Sequence, residues 1–127
     1  MKHGGGYDML VVGSGPAGEK AAAQAAYFGR RVAVVDRSPT PGGAMLESAI
    51  ATKAMREAAL YLTGFTRHEV YGVSLELDRQ AVIDRMRDRA ADVRSMMVTA
   101  VEDNLRRHDI DLVVGTARLG AGPTLSV

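Results

Sequence analysis

The most informative stretch of the chain is Gly13-Ser14-Gly15-Pro16-Ala17-Gly18, a G-x-G-x-x-G pattern. It directly follows a short apolar run at residues 7–12, whose Leu and Val content is typical of a strand buried on both faces of a parallel sheet. The pattern opens an Ala-rich segment at residues 16–28, and this composition favours a helix with Pro16 in its first turn. A second apolar run at residues 32–35 predicts the next strand. Together these features predict a strand–helix–strand unit.

Each glycine of the pattern meets a separate physical need of a dinucleotide-binding turn. Gly13 allows the tight turn from strand to helix, Gly15 lets a pyrophosphate approach the backbone, and Gly18 lets helix and strand pack closely. The helix N-terminus offers N–H groups and the positive end of its dipole to phosphates. Asp36 ends the second predicted strand, 18 residues after Gly18, where an acid that hydrogen-bonds ribose hydroxyls is expected. The spacing therefore predicts a dinucleotide site, with a purely structural glycine-rich turn as the alternative.

The residues around the end of the second strand bear on which dinucleotide binds. The Asp36 carboxylate repels a 2′-phosphate, so FAD or NAD is favoured over NADP. Arg37 keeps NADP possible, and an ordinary surface charge is its alternative role. Gly42 and Gly43 form either a plain turn before the next helix, which the composition favours, or a second close approach of backbone to cofactor.

The rest of the chain completes an α/β pattern. Residues 45–62 have helical periodicity, and residues 63–78 are mostly irregular with one short extended piece as an option. Residues 79–107 form a long amphipathic helix with a charged, solvated face. Residues 111–115 predict a third buried strand, and residues 117–127 contain a Gly-Pro turn that suits a hairpin.

The composition excludes several classes of function. The 127 residues carry 16 Lys and Arg against 15 Asp and Glu, and the net charge of +1 indicates no partnership with nucleic acid or an anionic membrane. The absence of cysteine excludes disulfides, cysteine-ligated zinc and thiol catalysis, and the three histidines have no metal-ligand spacing. No apolar run approaches the ~20 residues of a membrane span, and no signal-peptide core is visible, so we expect a cytoplasmic protein.

Residues 7–22, with residues 31–36, 40–44 and 56–65, resemble the N-terminal region of the pyridine nucleotide-disulfide oxidoreductases. These are flavoproteins with two dinucleotide-binding domains, and the resemblance implies FAD bound in an extended form. It covers nearly the whole chain and is strongest over residues 7–65. The candidate cofactor-binding residues are Gly13, Ser14, Gly15, Pro16, Ala17, Gly18, Asp36, Arg37, Gly42, Gly43, Ala44, Lys53 and Ala117.

The resemblance implies a role for each part of this set. The turn at residues 13–18 wraps the pyrophosphate. Asp36 holds the adenosine ribose through a longer or water-bridged contact, because the family more often has the longer Glu there. Residues 42–44 line the cofactor, and the Ala117 backbone faces the adenine. Lys53 aligns with a lysine near the flavin ring, with a plain helix-surface lysine as the alternative.

The departures from the family pattern concern the redox centre. Met45 and Ala49 stand where the disulfide reductases have two redox cysteines, so the chain has no dithiol–disulfide relay and those activities are excluded. Hydride transfer between NADPH and NAD through FAD, as in the transhydrogenase branch of the family, needs no thiol. It remains the implied activity of a complete parent chain. The resemblance implies that NAD(P)H binds only to such a complete chain. No catalytic residue and no metal ligand is predicted in these 127 residues.

We therefore predict an α/β, Rossmann-like FAD-binding domain fragment with a parallel sheet, an Ala-rich dinucleotide helix on one face and further helices, including the long amphipathic one, over the other. Residues 1–6 are expected to be flexible, and residues 7–127 to form one partial domain. Complete members of the family are several times longer and carry a second dinucleotide site. We expect the isolated chain to be inactive in hydride transfer and to form a homo-oligomer, with exchange of the helix at residues 79–107 as one route.

Two other functions remain open at this stage. The chain suits a non-catalytic or degenerate module that binds an adenine nucleotide or packs with a partner. It also suits direct NAD binding at its single glycine pattern. A yellow protein, or one that takes up FAD in titration, would favour the flavoprotein interpretation over both.

Overall fold

The computed structural model of the chain describes residues 6–66, 72, 78–121 and 125–127. The elements in chain order are β1 Met9–Val12, α1 Pro16–Tyr27, β2 Val32–Asp36, a π-helical turn Met45–Ala49, α2 Ile50–Thr66, α3 Arg79–Arg107, β3 Asp111–Val114, β4 Arg118–Leu119 and β5 Leu125–Ser126. This order confirms the predicted α/β fold and the predicted strand–helix–strand unit.

The centre of the fold is a three-stranded parallel sheet with the strand order β1-β2-β3. In its register Val11 lies opposite Val34, and Val34 lies opposite Leu112. All five residues of β2 are buried, because this strand has a neighbour on both sides and carries four apolar residues in succession. Such a run is typical of a central parallel strand, and for this reason β2 could be predicted from the sequence.

Helices α1 and α3 lie side by side on one face of the sheet. Ala22 of α1 and both Val101 and Leu105 of α3 join Val11 and Val34 in one buried cluster. The small Ala side chains of α1 let the helix lie close to the strands, and Asn104 Nδ2 of α3 donates to Glu19 Oε1 of α1 at 2.5 Å. The prediction that further helices cover the opposite face is therefore wrong for α3. Amphipathicity fixes which side of a helix is buried but not which face of the sheet receives it.

The opposite face of the sheet is more open. Leu10 and Val12 of β1 point away from the helical layer and are 39% and 61% exposed. Beyond β3, the strands β4 and β5 pair antiparallel, with Arg118 opposite Ser126 and Leu119 opposite Leu125. The predicted hairpin is thus confirmed, although part of its turn, residues 122–124, lies outside the described residues.

Two boundaries differ from the prediction. Helix α2 continues to Thr66, and Thr63 within this extension bonds the Ala59 carbonyl through its Oγ1 at 2.7 Å. The helical segment also begins as a π-helical turn around the fully buried Leu46. The extended piece predicted within residues 63–78 lies outside the described residues, as do residues 1–5 of the predicted flexible start. No helix in the described ranges is long and apolar enough to cross a membrane.

Candidate dinucleotide-binding site

The candidate site lies where the carboxyl ends of the three parallel strands meet. Gly13 follows β1, Asp36 ends β2 and Gly115 follows β3. The strand ends are tied together, because Gly13 N donates to Val35 O and Gly115 N donates to Asp36 O, both at 2.8 Å. A cavity of about 300 Å³ opens at this edge, which is where ligands bind in open parallel α/β sheets. It is lined by Val12, Gly13, Gly15, Val35, Asp36, Arg37, Gly43, Gly115, Thr116 and Ala117.

Two glycines show how closely the backbones approach each other around this cavity. A Cβ on Gly18 would lie 2.0 Å from the Gly13 carbonyl oxygen, so only glycine lets α1 start this close to the end of β1. Gly43 has a φ of +61°, and a Cβ there would lie 3.3 Å from Gly15 Cα. The turn that contains Gly43 therefore packs directly against the G-x-G-x-x-G turn.

The N-terminus of α1 lies at the wall of the cavity. Gly15 is its N-cap residue, with extended backbone and no capping side chain, and Pro16 occupies the first turn. Because Gly15 also lines the cavity, the positive end of the helix dipole faces this space. Backbone N–H groups and a positive dipole at a helix N-terminus favour the binding of phosphate groups.

Among the described residues that line this cavity, Asp36 is the only carboxylate, and hydrogen bonds from the chain's own donors hold it in place. Its Oδ2 accepts from Ser14 N at 2.7 Å and from Ser14 Oγ at 2.5 Å, and its Oδ1 accepts from Ser38 N at 2.9 Å. Burial by itself raises the pKa of this carboxyl. The bonds from Ser14 and Ser38, together with the charge of Arg37, outweigh burial and leave the pKa below its ordinary value. Asp36 is therefore an anion at neutral pH.

The fold brings together about half of the predicted cofactor-binding residues. Those that line the one cavity are Gly13, Gly15, Asp36, Arg37, Gly43 and Ala117. Ser14 is buried behind the cavity wall, and Gly42 is buried within its turn. Pro16, Ala17 and Ala44 are exposed at the starts of helices, and Gly18 fills the contact between β1 and α1.

Lys53 is placed apart from this group. It is exposed on α2 and lines a separate groove between α2 and α3, together with Glu57 and Arg89. An extended dinucleotide would have to leave the strand-end cavity to reach it. The assignment of Lys53 as a neighbour of the flavin stays a prediction.

Two features of the site are not predicted from the sequence, namely the position of Thr116 and the hydrogen bonds of the Ser14 hydroxyl. Thr116 lines the cavity because it directly follows β3. The rule that located Asp36 at the end of β2 could have located Thr116 as well. The Ser14 hydroxyl accepts from Gly42 N at 2.9 Å, and no local sequence signal predicts a bond between residues 28 positions apart.

The comparison with known proteins agrees with this geometry. A family model described as FAD dependent oxidoreductase matches residues 8–122. The chain belongs to this family. The prediction that it resembles the pyridine nucleotide-disulfide oxidoreductases is confirmed, and FAD is the cofactor of the family.

Three relatives illustrate the similarity. The soluble pyridine nucleotide transhydrogenase of Mycobacterium tuberculosis (strain ATCC 25177 / H37Ra) is 39% identical over 113 residues, which are 88% of this chain and 24% of the relative. The protein of the same name from Ectopseudomonas mendocina (strain ymp) is 35% identical over 122 residues, 95% of this chain and 26% of the relative. The dihydrolipoyl dehydrogenase of Bacillus subtilis (strain 168) is 32% identical over 110 residues, which are 86% of this chain and 24% of the relative. The chain thus spans about a quarter of the length of these relatives.

The residues present fit the adenosine and pyrophosphate portion of FAD. The cavity of about 300 Å³ lies at the lower end of the range of ligand sites, about 300 to 1,000 Å³. Four glycines on its wall, Gly13, Gly15, Gly43 and Gly115, offer backbone without side chains, and a helix N-terminus and an anionic carboxylate stand beside them. These are the groups that a pyrophosphate and a ribose require.

Proposed function

We propose that the chain holds the adenosine diphosphate portion of FAD in the strand-end cavity, within a longer flavoprotein that transfers hydride between NADPH and NAD. The observation that carries the proposal is the convergence of Gly13, Gly15, Asp36 and Gly43 on one cavity at the N-terminus of α1. The flavin ring supplies the hydride chemistry when bound, and the protein supplies binding and orientation.

Each part of the cavity has a proposed task. The turn at residues 13–18 binds the pyrophosphate through backbone N–H groups. Asp36 accepts from the ribose, and Arg37 balances its charge at the rim. Ala117 and the neighbouring Thr116 stand on the adenine side, because they follow β3 at the far wall of the cavity.

The lack of cysteine favours the transhydrogenase reaction over a disulfide reductase reaction. All 127 residues are free of cysteine, and the resemblance implies that Met45 and Ala49 stand where the redox pair would be. Hydride exchange between two nicotinamides and a flavin needs no thiol. The relatives at 39% and 35% identity carry the name soluble pyridine nucleotide transhydrogenase, which supports this reaction and a cytoplasmic location.

Gly15→Ala tests the cavity without disturbing the fold. Gly15 already has a φ of −62° and a ψ of 175°, which alanine adopts freely, and an added Cβ meets no atom within 4 Å. The methyl group occupies the space where the pyrophosphate approaches the backbone. We expect FAD affinity, measured by calorimetric titration, to fall about tenfold or more, with an unchanged unfolding midpoint.

Gly64→Ala is the matched control, because Gly64 lies on α2 and a Cβ there also meets no atom within 4 Å. It should leave FAD affinity unchanged. Equal FAD affinity for Gly15→Ala and the unaltered chain would contradict the proposed site. Hydride transfer from NADPH to a NAD analogue by the 127 residues with added FAD would contradict the proposal that a longer chain is needed.

The second candidate function is a module that binds an adenine nucleotide without catalysis. The placement of the predicted residues favours it, because Asp36 and Ala117 line the cavity whereas Lys53, the predicted neighbour of the flavin, lines a separate groove. Binding of ADP or NAD with no uptake of FAD would support this function. Binding of NADP as strongly as NAD would show that the Asp36 carboxylate does not discriminate against a 2′-phosphate.

A further inference from the structure

Ser14 is the central residue of a buried hydrogen-bond network. Its side chain is 1% exposed. Its Oγ donates to Asp36 Oδ2 at 2.5 Å and accepts from Gly42 N at 2.9 Å, and its own N donates to Asp36 Oδ2 at 2.7 Å. One small side chain thus joins the turn after β1, the end of β2 and the turn that precedes the π-helical segment.

The network also uses most of the acceptor capacity of Asp36. A carboxylate has about four lone-pair sites. Two on Oδ2 receive the Ser14 N–H and O–H, and one on Oδ1 receives Ser38 N–H. One site on Oδ1 is therefore left for a ligand. One site is fewer than the two hydroxyls of a ribose would use.

We propose that Ser14 is a positioning residue that fixes the turn at residues 13–18, the Asp36 carboxylate and the Gly42–Gly43 turn in their binding arrangement, and thereby limits Asp36 to one ribose hydroxyl. The second part rests on the proposed function, that an adenine nucleotide binds in this cavity. The first part concerns the chain without any ligand.

The physical basis is preorganisation. Ser14→Ala leaves the buried Gly42 N–H without its acceptor, and an unsatisfied buried donor destabilises the turn that contains it. Gly43, next along the chain, lies against Gly15 and lines the cavity. If the turn loses its bond to Ser14, one wall of the cavity is no longer held in place. Ordering this wall on binding then makes the free energy of nucleotide binding less favourable.

Hydrogen exchange of the ligand-free chain tests the first part. We expect exchange of the Gly42 amide to be about tenfold faster or more in Ser14→Ala. Ser126→Ala, at an exposed position of β5, should leave it unchanged. Equal protection of Gly42 in Ser14→Ala and the unaltered chain overturns the positioning role, whether or not any nucleotide binds.

Affinities for ADP, 2′-deoxy-ADP and 3′-deoxy-ADP test the second part. With one acceptor site on Asp36, one of the two deoxy compounds should bind as ADP does, within about twofold, and the other about three- to tenfold more weakly. Ser14→Ala frees a site on Oδ2, so the difference between the two compounds should shrink while ADP affinity falls.

The outcomes separate the two proposals. Equal weakening of both deoxy compounds, or of neither, in the unaltered chain overturns the single-hydroxyl limit. Failure of the unaltered chain to bind ADP and FAD overturns the proposed function, and the ribose limit with it, while the exchange measurement still decides the role of Ser14. A merely structural serine would lower stability in Ser14→Ala without changing the ratio between the deoxy compounds.

Discussion

Gly18 shows how a single residue limits the distance between helix and sheet. A Cβ at this position would lie 2.0 Å from the Gly13 carbonyl oxygen and 3.2 Å from Val11 Cγ1. The nearer atom belongs to the backbone and cannot rotate away. We therefore expect Gly18→Ala to lower the free energy of unfolding by about 1–3 kcal/mol, as measured by urea denaturation.

Gly64→Ala again supplies the comparison for that measurement. Its Cβ would meet nothing, and alanine is the better helix former, so we expect this change in α2 to raise the free energy of unfolding by about 0.5–1 kcal/mol. If Gly18→Ala were as stable as Gly64→Ala, the close contact between α1 and the end of β1 would be refuted.

At the residue scale, the sequence predicts the positions of backbone better than the directions of side chains. Gly13 and Asp36 could be placed together because the carboxyl ends of adjacent parallel strands meet at one edge. The bond from Gly42 to Ser14 could not, since it depends on how a turn 28 residues away packs. The proximity of Lys53 to the flavin is predicted from similarity alone. The groove that Lys53 lines depends on how α2 packs against α3.

At the scale of elements, an ion pair ties the start of β1 to the start of β2. Asp8 Oδ2 accepts from Arg31 N at 2.8 Å, and its Oδ1 accepts from Arg31 Nη2 at 3.1 Å. The side-chain bond from Arg31, and then its backbone bond, lower the pKa of Asp8 to about 2. An aspartate in an unfolded chain has a pKa near ~3.9, so the folded chain prefers the charged form.

The sign of the pH dependence follows from this lowered pKa. The pair contributes its full stability above about pH 4 and loses it as the pH falls through about 2. We expect Asp8→Asn to be less stable than the unaltered chain at neutral pH, with the difference shrinking toward pH 2. Urea midpoints across this range measure it. A constant difference at every pH would show that the loss has another origin.

The elements themselves were largely predictable, whereas their arrangement was not. The valine run of β2 and the alanines of α1 determine local structure through composition. The burial of α3 beside α1 depends on contacts such as Asn104 to Glu19, between residues 85 positions apart. No periodicity in either helix specifies that pairing.

At the scale of the whole molecule, the sheet has an open edge. β1 pairs with β2 and, among the described residues, has no strand on its other side. Leu10 of this strand is 39% exposed, and Met96 on the long helix α3 is 68% exposed. Open strand edges with apolar side chains favour pairing with another chain, and exposed apolar surface favours association in general.

We therefore expect the isolated 127 residues to self-associate, and light scattering at high protein concentration to give a mass above the 13.5 kDa of one chain. Association through β1 and association through the exposed side of α3 predict different changes in mass when a lysine is introduced. If association uses the edge and open face of β1, Leu10→Lys should restore the mass of one chain, because a charged side chain on an edge strand opposes pairing with another chain. If it uses the exposed apolar side of α3 instead, Met96→Lys should do so and Leu10→Lys should not. A mass of one chain for the unaltered protein at every concentration would contradict both routes.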